Sequence, residues 1–133
     1  MFDLTGDEVS LLSLRNIILN GSKISVGIEA SEKVRSSYSF LEKFAQDKLI
    51  YGINTGLGPM TQYRINDSDL NSLQYNLIRS HSAGCGNPID SICVKAAMIA
   101  RLSSLSKGFS GIHIEALELL TELINKNIIP FIP

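Results

Sequence analysis

Apolar residues recur at helical spacing in five stretches of this chain, and that pattern predicts a mainly α protein of packed helices. In the first, Val9, Leu11, Leu12, Leu14, Ile17, Ile18 and Leu19 keep the period. Thr5 and Glu8 precede them at the spacing of a capping box. Asn20-Gly21, a strong breaker pair, closes the stretch. Lys23 to Ile28 then alternates polar with apolar, so Ile24, Val26 and Ile28 share one face of a short extended segment. This is the one minor β element expected.

A second helix is predicted over 29–48, with Val34, Tyr38, Leu41 and Phe44 on one stripe. A third runs from Asp67 to about Ser82, with Leu70, Leu73, Leu77 and Ile78 as its apolar side and N-cap candidates in Asn66-Asp67-Ser68. Asn87-Pro88 is a favourable start for the fourth, since proline suits the first helical position. That helix carries Ile92, Cys93, Val94, Ala96, Ala97, Met98, Ile99, Ala100 and Leu102, apolar nearly all round, and is expected to be central and buried. The last helix starts near Ser110-Gly111 and turns Ile114, Leu117, Leu120, Leu123 and Ile124 inward. The ending from Asn127 to Pro133 is apolar, proline-punctuated and extended. A natural terminus is seldom so hydrophobic, which leads us to expect that more protein follows.

Composition narrows the class. The chain has 133 residues, 44% hydrophobic and 19% charged, with a net charge of −1. It can bury a core, and it has no basic cluster of the kind a nucleic acid or an anionic membrane would require. No apolar run approaches the ~18 residues needed to span a bilayer. The N-terminus lacks the basic start and apolar core of a signal peptide. Cys85 and Cys93 form no C-x-x-C pair, and free thiols are the default in a reducing compartment. A soluble, cytoplasmic protein is expected.

Between the second and third helices lies Ile50-Tyr-Gly-Ile-Asn-Thr-Gly-Leu-Gly58, with three glycines in seven positions (Gly52, Gly56, Gly58). Such a stretch costs entropy to order and suits a loop that moves or lets a ligand approach its backbone; an ordinary glycine-rich connection reads the same way. The spacing is neither G-x-G-x-x-G nor G-x-x-x-x-G-K-[ST], and no strand–loop–helix unit surrounds it, so a phosphate cradle is not indicated. His81 and Cys85 stand four apart with His113 distant, which falls short of a zinc set, and no metal is expected. No G-x-S-x-G marks a serine nucleophile. The sharper pair is Tyr51 and His81, each beside a glycine-rich break. A phenol is a poor base unless its surroundings lower its pKa, whereas a neutral imidazole both donates and accepts. Ring packing at a loop edge and helix capping account for the same two residues.

Four blocks in order carry a resemblance to a known family. They are Tyr51-Gly-Ile-Asn-Thr-Gly-Leu-Gly58, Leu73-Gln-Tyr-Asn-Leu-Ile-Arg-Ser-His-Ser-Ala-Gly84, Arg101-Leu-Ser-Ser-Leu-Ser-Lys-Gly-Phe-Ser-Gly111 and Ile129-Pro-Phe-Ile-Pro133. Together they resemble the N-terminal part of the aromatic amino-acid lyases, which comprise histidine, phenylalanine and tyrosine ammonia-lyases and related aminomutases. The resemblance covers nearly the whole chain.

It implies that Tyr51 is the base that takes the substrate's β-proton, on a loop that closes over the site. It implies that Gly52, Asn54, Thr55, Gly56 and Gly58 form the loop frame, and that Ser80 and His81 contact the substrate side chain. Ser80-His81 is similar to the pair in histidine lyases, whereas phenylalanine-specific members tend to carry Phe-Leu. Some aminomutases also carry Ser-His, so the amino acid stays open. Leu57 departs from the phenylalanine common there. The family's electrophile, a methylidene-imidazolone group (MIO), forms from an Ala-Ser-Gly triplet, and none occurs here.

Residues 1–133 are therefore expected to be the N-terminal segment of an ammonia-lyase-like domain, without the MIO loop and the C-terminal helical bundle, and inactive in isolation. Its partners would be an amino-acid substrate in the parent enzyme and either its own copies or a complementing lyase chain. The alternative is a non-catalytic binding or assembly module, or one half of a split lyase.

Overall fold

The computed structural model describes residues 1–133, apart from the side chains of Met60 and Asp67. The chain forms two compact units, one of residues 1–40 with 87–133 and one of residues 41–86.

The first unit opens with a β–α–β arrangement. Strand β1 (Phe2–Leu4) pairs in parallel with β2 (Ile24–Val26), in the register Phe2↔Ile24, Asp3↔Ser25 and Leu4↔Val26. Parallel neighbours need a crossover of a dozen or more residues, which helix α1 (Leu11–Leu19) and its flanks supply. The minor β element is thus this small sheet. β1 has no sequence signature, because three residues are too few to show a period. The Asn125 side chain borders β2: its Oδ1 accepts from Ile24 N at 2.8 Å and its Nδ2 donates to Ile24 O at 2.8 Å, as a third strand would.

The predicted capping box at Thr5 does not form. Gly6, at φ +95°, breaks the chain direction before a helix can start, and Thr5 Oγ1 donates instead to Asp7 Oδ2 at 2.7 Å. The helix starts after Ser10, whose Oγ accepts from Ser13 N at 3.1 Å. Helix α2 (Ile28–Phe44) takes Ile28, expected on the extended segment, as its exposed first residue and stops short of Lys48.

Helix α4 (Ser91–Ser106) starts later than Pro88. The Ile89 amide donates to the Ile132 carbonyl at 2.8 Å rather than joining a helical turn. Asp90 becomes the N-cap and accepts from Ile92 N at 2.8 Å, and its negative charge suits that pole of the helix. The buried stripe is Val94, Met98, Ile99, Leu102 and Leu105. Cys93, Ala97 and Ala100 are exposed, so α4 is buried on one face in this chain rather than all round.

Helix α5 (Ile114–Asn125) starts after His113, not at Ser110-Gly111, and buries Ile114, Leu117, Thr121 and Ile124. α4 packs on α5 and α1, and α5 packs on β2, which encloses a core that also takes Leu4, Ile17 and Val34. Gly108, at φ +75°, lies where an added Cβ would come within 2.7 Å of Lys33 Cβ and 2.8 Å of its main-chain carbon.

The second unit holds the last turn of α2, the glycine stretch with a 3₁₀ turn at Gly58–Met60, and helix α3 (Asp67–His81). Leu70, Leu73 and Leu77 of α3 are half-buried, and Tyr75 and Ile78 are exposed.

The packing predicts that Leu102→Ala and Leu117→Ala each lower stability by about 2–5 kcal/mol, against less than about 0.5 kcal/mol for exposed Leu119→Ala. Gly108→Ala is expected to destabilise through both its φ and the Lys33 backbone. Urea midpoints of the four variants measure all of this.

Candidate functional site

The glycine stretch is built around Asn54, which is 5% exposed. Its Oδ1 accepts from Ile50 N at 2.8 Å. Its Nδ2 donates to Ala45 O at 2.8 Å and to Lys48 O at 2.7 Å. One amide therefore holds both the segment leaving α2 and the start of the loop. This also explains why α2 ends at Phe44: the carbonyls that follow turn toward Asn54 rather than continuing a helical ladder. The Asn54 main chain is tied as well, its N–H donating to Ile50 O at 3.2 Å and its carbonyl accepting from Ile65 N at 3.0 Å.

Thr55 is buried beside it and donates from Oγ1 to Gly56 O at 3.0 Å. Thr55 forms an antiparallel bridge with Arg64, and Gly56 N donates to Tyr63 O at 3.3 Å. The Arg64 guanidinium reaches Gln46 O at 2.9 Å. Residues 63–65 thus close the loop from the far side. Sequence reading missed them, and the only available signal was the Gly58-Pro59 turn between two short extended runs.

Gly52 and Gly58 have φ of +73° and +58°, a region that only glycine enters without strain. Between the Ile50 and Asn54 anchors, the turn lifts Tyr51 into solvent at 64% exposure.

His81 is the last residue of α3. Its Nδ1 lies 2.9 Å from Leu77 O and 3.1 Å from Ser80 Oγ, and Ser80 Oγ itself donates to Leu77 O at 2.9 Å. Ser80 and His81 are both exposed. Among the described residues no hydrogen bond links Tyr51 to Ser80 or His81, and no group of three or more His, Cys, Asp or Glu is placed to hold a metal. No helix is long and apolar enough to cross a membrane.

The chain thus presents Tyr51 on an amide-clamped glycine turn, followed by the Ser80-His81 helix end. Residues 9–133 match the family model described as aromatic amino acid lyase, and the chain belongs to that family. It is 39% identical over its whole length to histidine ammonia-lyase of Shouchella clausii, of which it covers 27%. Among solved structures it is similar to the ergothioneine-degrading enzyme ergothionase of Treponema denticola, with TM-score 0.92 and 27% identity, over 99% of this chain and 27% of that one. It is also similar to phenylalanine aminomutase of Pantoea agglomerans, with TM-score 0.91 and 32% identity, over all of this chain and 26% of that one. The chain thus spans about a quarter of the length of the relatives it matches.

Asn54→Ala is expected to open the loop, since three main-chain groups lose their partner at about 1–3 kcal/mol for each that stays buried. Amide exchange at Ile50 should quicken, and so should tryptic cleavage after Lys48. Asn54→Asp keeps an acceptor for Ile50 N and loses both donors, so Ile50 protection should fall less.

Proposed function

We propose that this chain is the N-terminal part of an aromatic amino-acid ammonia-lyase or aminomutase of the MIO-dependent kind, working in the cytoplasm. Tyr51 is the base that removes the substrate's β-proton, and Ser80 and His81 contact the substrate side chain. Gly52, Asn54, Thr55, Gly56 and Gly58 frame the loop that carries Tyr51. The observation that supports this best is the Asn54 clamp. A buried amide bonded to three main-chain groups holds the base of a turn on which Tyr51 is exposed.

The family's electrophile forms from Ala-Ser-Gly, and this sequence has no such triplet. The residues present do not supply that group. What this chain contributes is proton removal and side-chain recognition. Relatives named for histidine, for ergothioneine and for phenylalanine share this scaffold. The substrate class is therefore an amino acid with an aromatic or imidazole-type ring, with histidine favoured. Self-association or a complementing lyase chain would complete the site.

The purified 133-residue chain is expected to release no urocanate from histidine and no cinnamate from phenylalanine. Substituted for the matching quarter of the Shouchella clausii histidine ammonia-lyase, it should support turnover. In that chimera Tyr51→Phe should lower kcat by about 10²–10⁴-fold, the usual contribution of a positioned general base. Turnover by the isolated chain, or an unchanged kcat in the Tyr51→Phe chimera, overturns the reading.

A further inference from the structure

Asn20 is the one asparagine of nine in this chain that is followed by glycine. The pair stands where α1 ends and the crossover turns toward β2. Asn20 is the C-cap: its N–H donates to Asn16 O at 3.1 Å, and Ser22 N donates to the same carbonyl at 3.4 Å. Gly21, between them, takes φ +65°. Its own N–H makes no hydrogen bond among the described residues, and a Cβ built on it would meet nothing within 4 Å. The Asn20 side chain is exposed, and its Nδ2 donates to Asn16 Oδ1 at 3.1 Å. An unpaired main-chain nitrogen thus follows an exposed carboxamide, with open space around it. At ψ 1° the Gly21 nitrogen is turned away from Asn20 Cγ. The two meet once the cap opens, and helix ends are where a fold opens most easily. Several other asparagines lack a condition outright. Asn54 is buried with its amide bonded three ways. Asn125 is bonded to Ile24 through both ends of its amide. Asn87 precedes a proline, which has no N–H.

We infer that Asn20 is a site of spontaneous covalent modification, deamidation through a cyclic imide, and that the change ages the α1–β2 crossover. The Gly21 nitrogen gives its proton to hydroxide and bonds to Asn20 Cγ. The Cγ–Nδ2 bond then breaks and ammonia leaves. Glycine favours the closure because no Cβ crowds the ring. Water opens the imide at either carbonyl. Opening at Cγ leaves aspartate, and opening at the main-chain carbonyl leaves isoaspartate, with the chain running through Cγ. Each chain consumes one water and releases one ammonia, and nothing is oxidised or reduced. Either product places a carboxylate at the negative pole of α1, where negative charge is unfavourable, and replaces the donor that Asn16 Oδ1 accepts from. Isoaspartate also inserts a backbone carbon ahead of Lys23, whose carbonyl accepts from Phe2 N at 2.7 Å beside the β1–β2 pairing.

The full chain tests this directly. It is held in mildly alkaline buffer over many half-lives of a free peptide of the sequence Asn16–Lys23, with circular dichroism to confirm that it stays folded, and is digested with trypsin at intervals. Cleavage after Arg15 and Lys23 yields one peptide that holds both Asn16 and Asn20, so every digest carries its own control. That peptide should gain about one mass unit and separate into aspartate and isoaspartate forms. Fragmentation should place the gain at residue 20, and ammonia should appear in step with no amino acid added. Asn20→Gln should remove the gain, because the larger ring closes far more slowly. In the aged chain, amide exchange at Phe2 should quicken. A folded chain that gains nothing at residue 20, a gain that falls first on Asn16 or another asparagine, or aspartate formed without isoaspartate overturns the modification site. Unchanged exchange at Phe2 in the converted chain overturns the ageing of the crossover.

Discussion

The second unit depends on a single carboxamide. Asn54 offers one acceptor and two donors, and the fold matches all three to main-chain groups of Ala45, Lys48 and Ile50. Few side chains can do this. Aspartate has no donor, and serine has too few atoms to bridge two segments. The network ends α2, turns the chain, and supports the glycine turn that carries Tyr51. The strength of the arrangement lies less in the bonds made than in the desolvated groups that would be left if the amide were lost.

The first unit is held together differently. Its core is aliphatic: Val94, Ile99 and Leu102 from α4 meet Leu117 and Ile124 from α5, with Ile17 of α1 against them. Burying each such side chain contributes about 1.5–3 kcal/mol. The exposed ion pair between Arg35 and Glu118, at 3.7 Å, adds little beside that. The polar details of this unit act as stops. Gly6, Ser10, Asp90 and His113 determine where helices begin, and the Asn125 amide borders the small sheet.

Membership of the aromatic amino acid lyase family rests on a match that runs through nearly the whole chain. The scaffold is shared by relatives named for different substrates, so the fold alone does not choose among them. The choice must come from the few side chains that meet the substrate.

Five helices, the breaks at Asn20-Gly21 and Gly84, and the loop bearing Tyr51 were all legible in the sequence, because periodicity and glycine placement are local properties. Helix starts were less so. Thr5, Asn87 and Ser110 are good local caps, yet Ser10, Asp90 and His113 are used. In the first case Gly6 redirects the chain, in the second the Ile89 amide bonds to Ile132, and in the third Gly111 takes φ +63° while its N–H bonds to Ser37 Oγ. Strand β1 was invisible because its partner lies a full crossover away. The residues 63–65 that close the glycine loop left only a turn signal at Gly58-Pro59, because a single isolated bridge is too short to show a period. By itself the sequence determined which segments are helical and where the glycine turn lies, since both follow from neighbours along the chain. Only the tertiary structure decided what Asn54 bonds to and where each helix starts, because each depends on a carbonyl or amide that folding brings alongside.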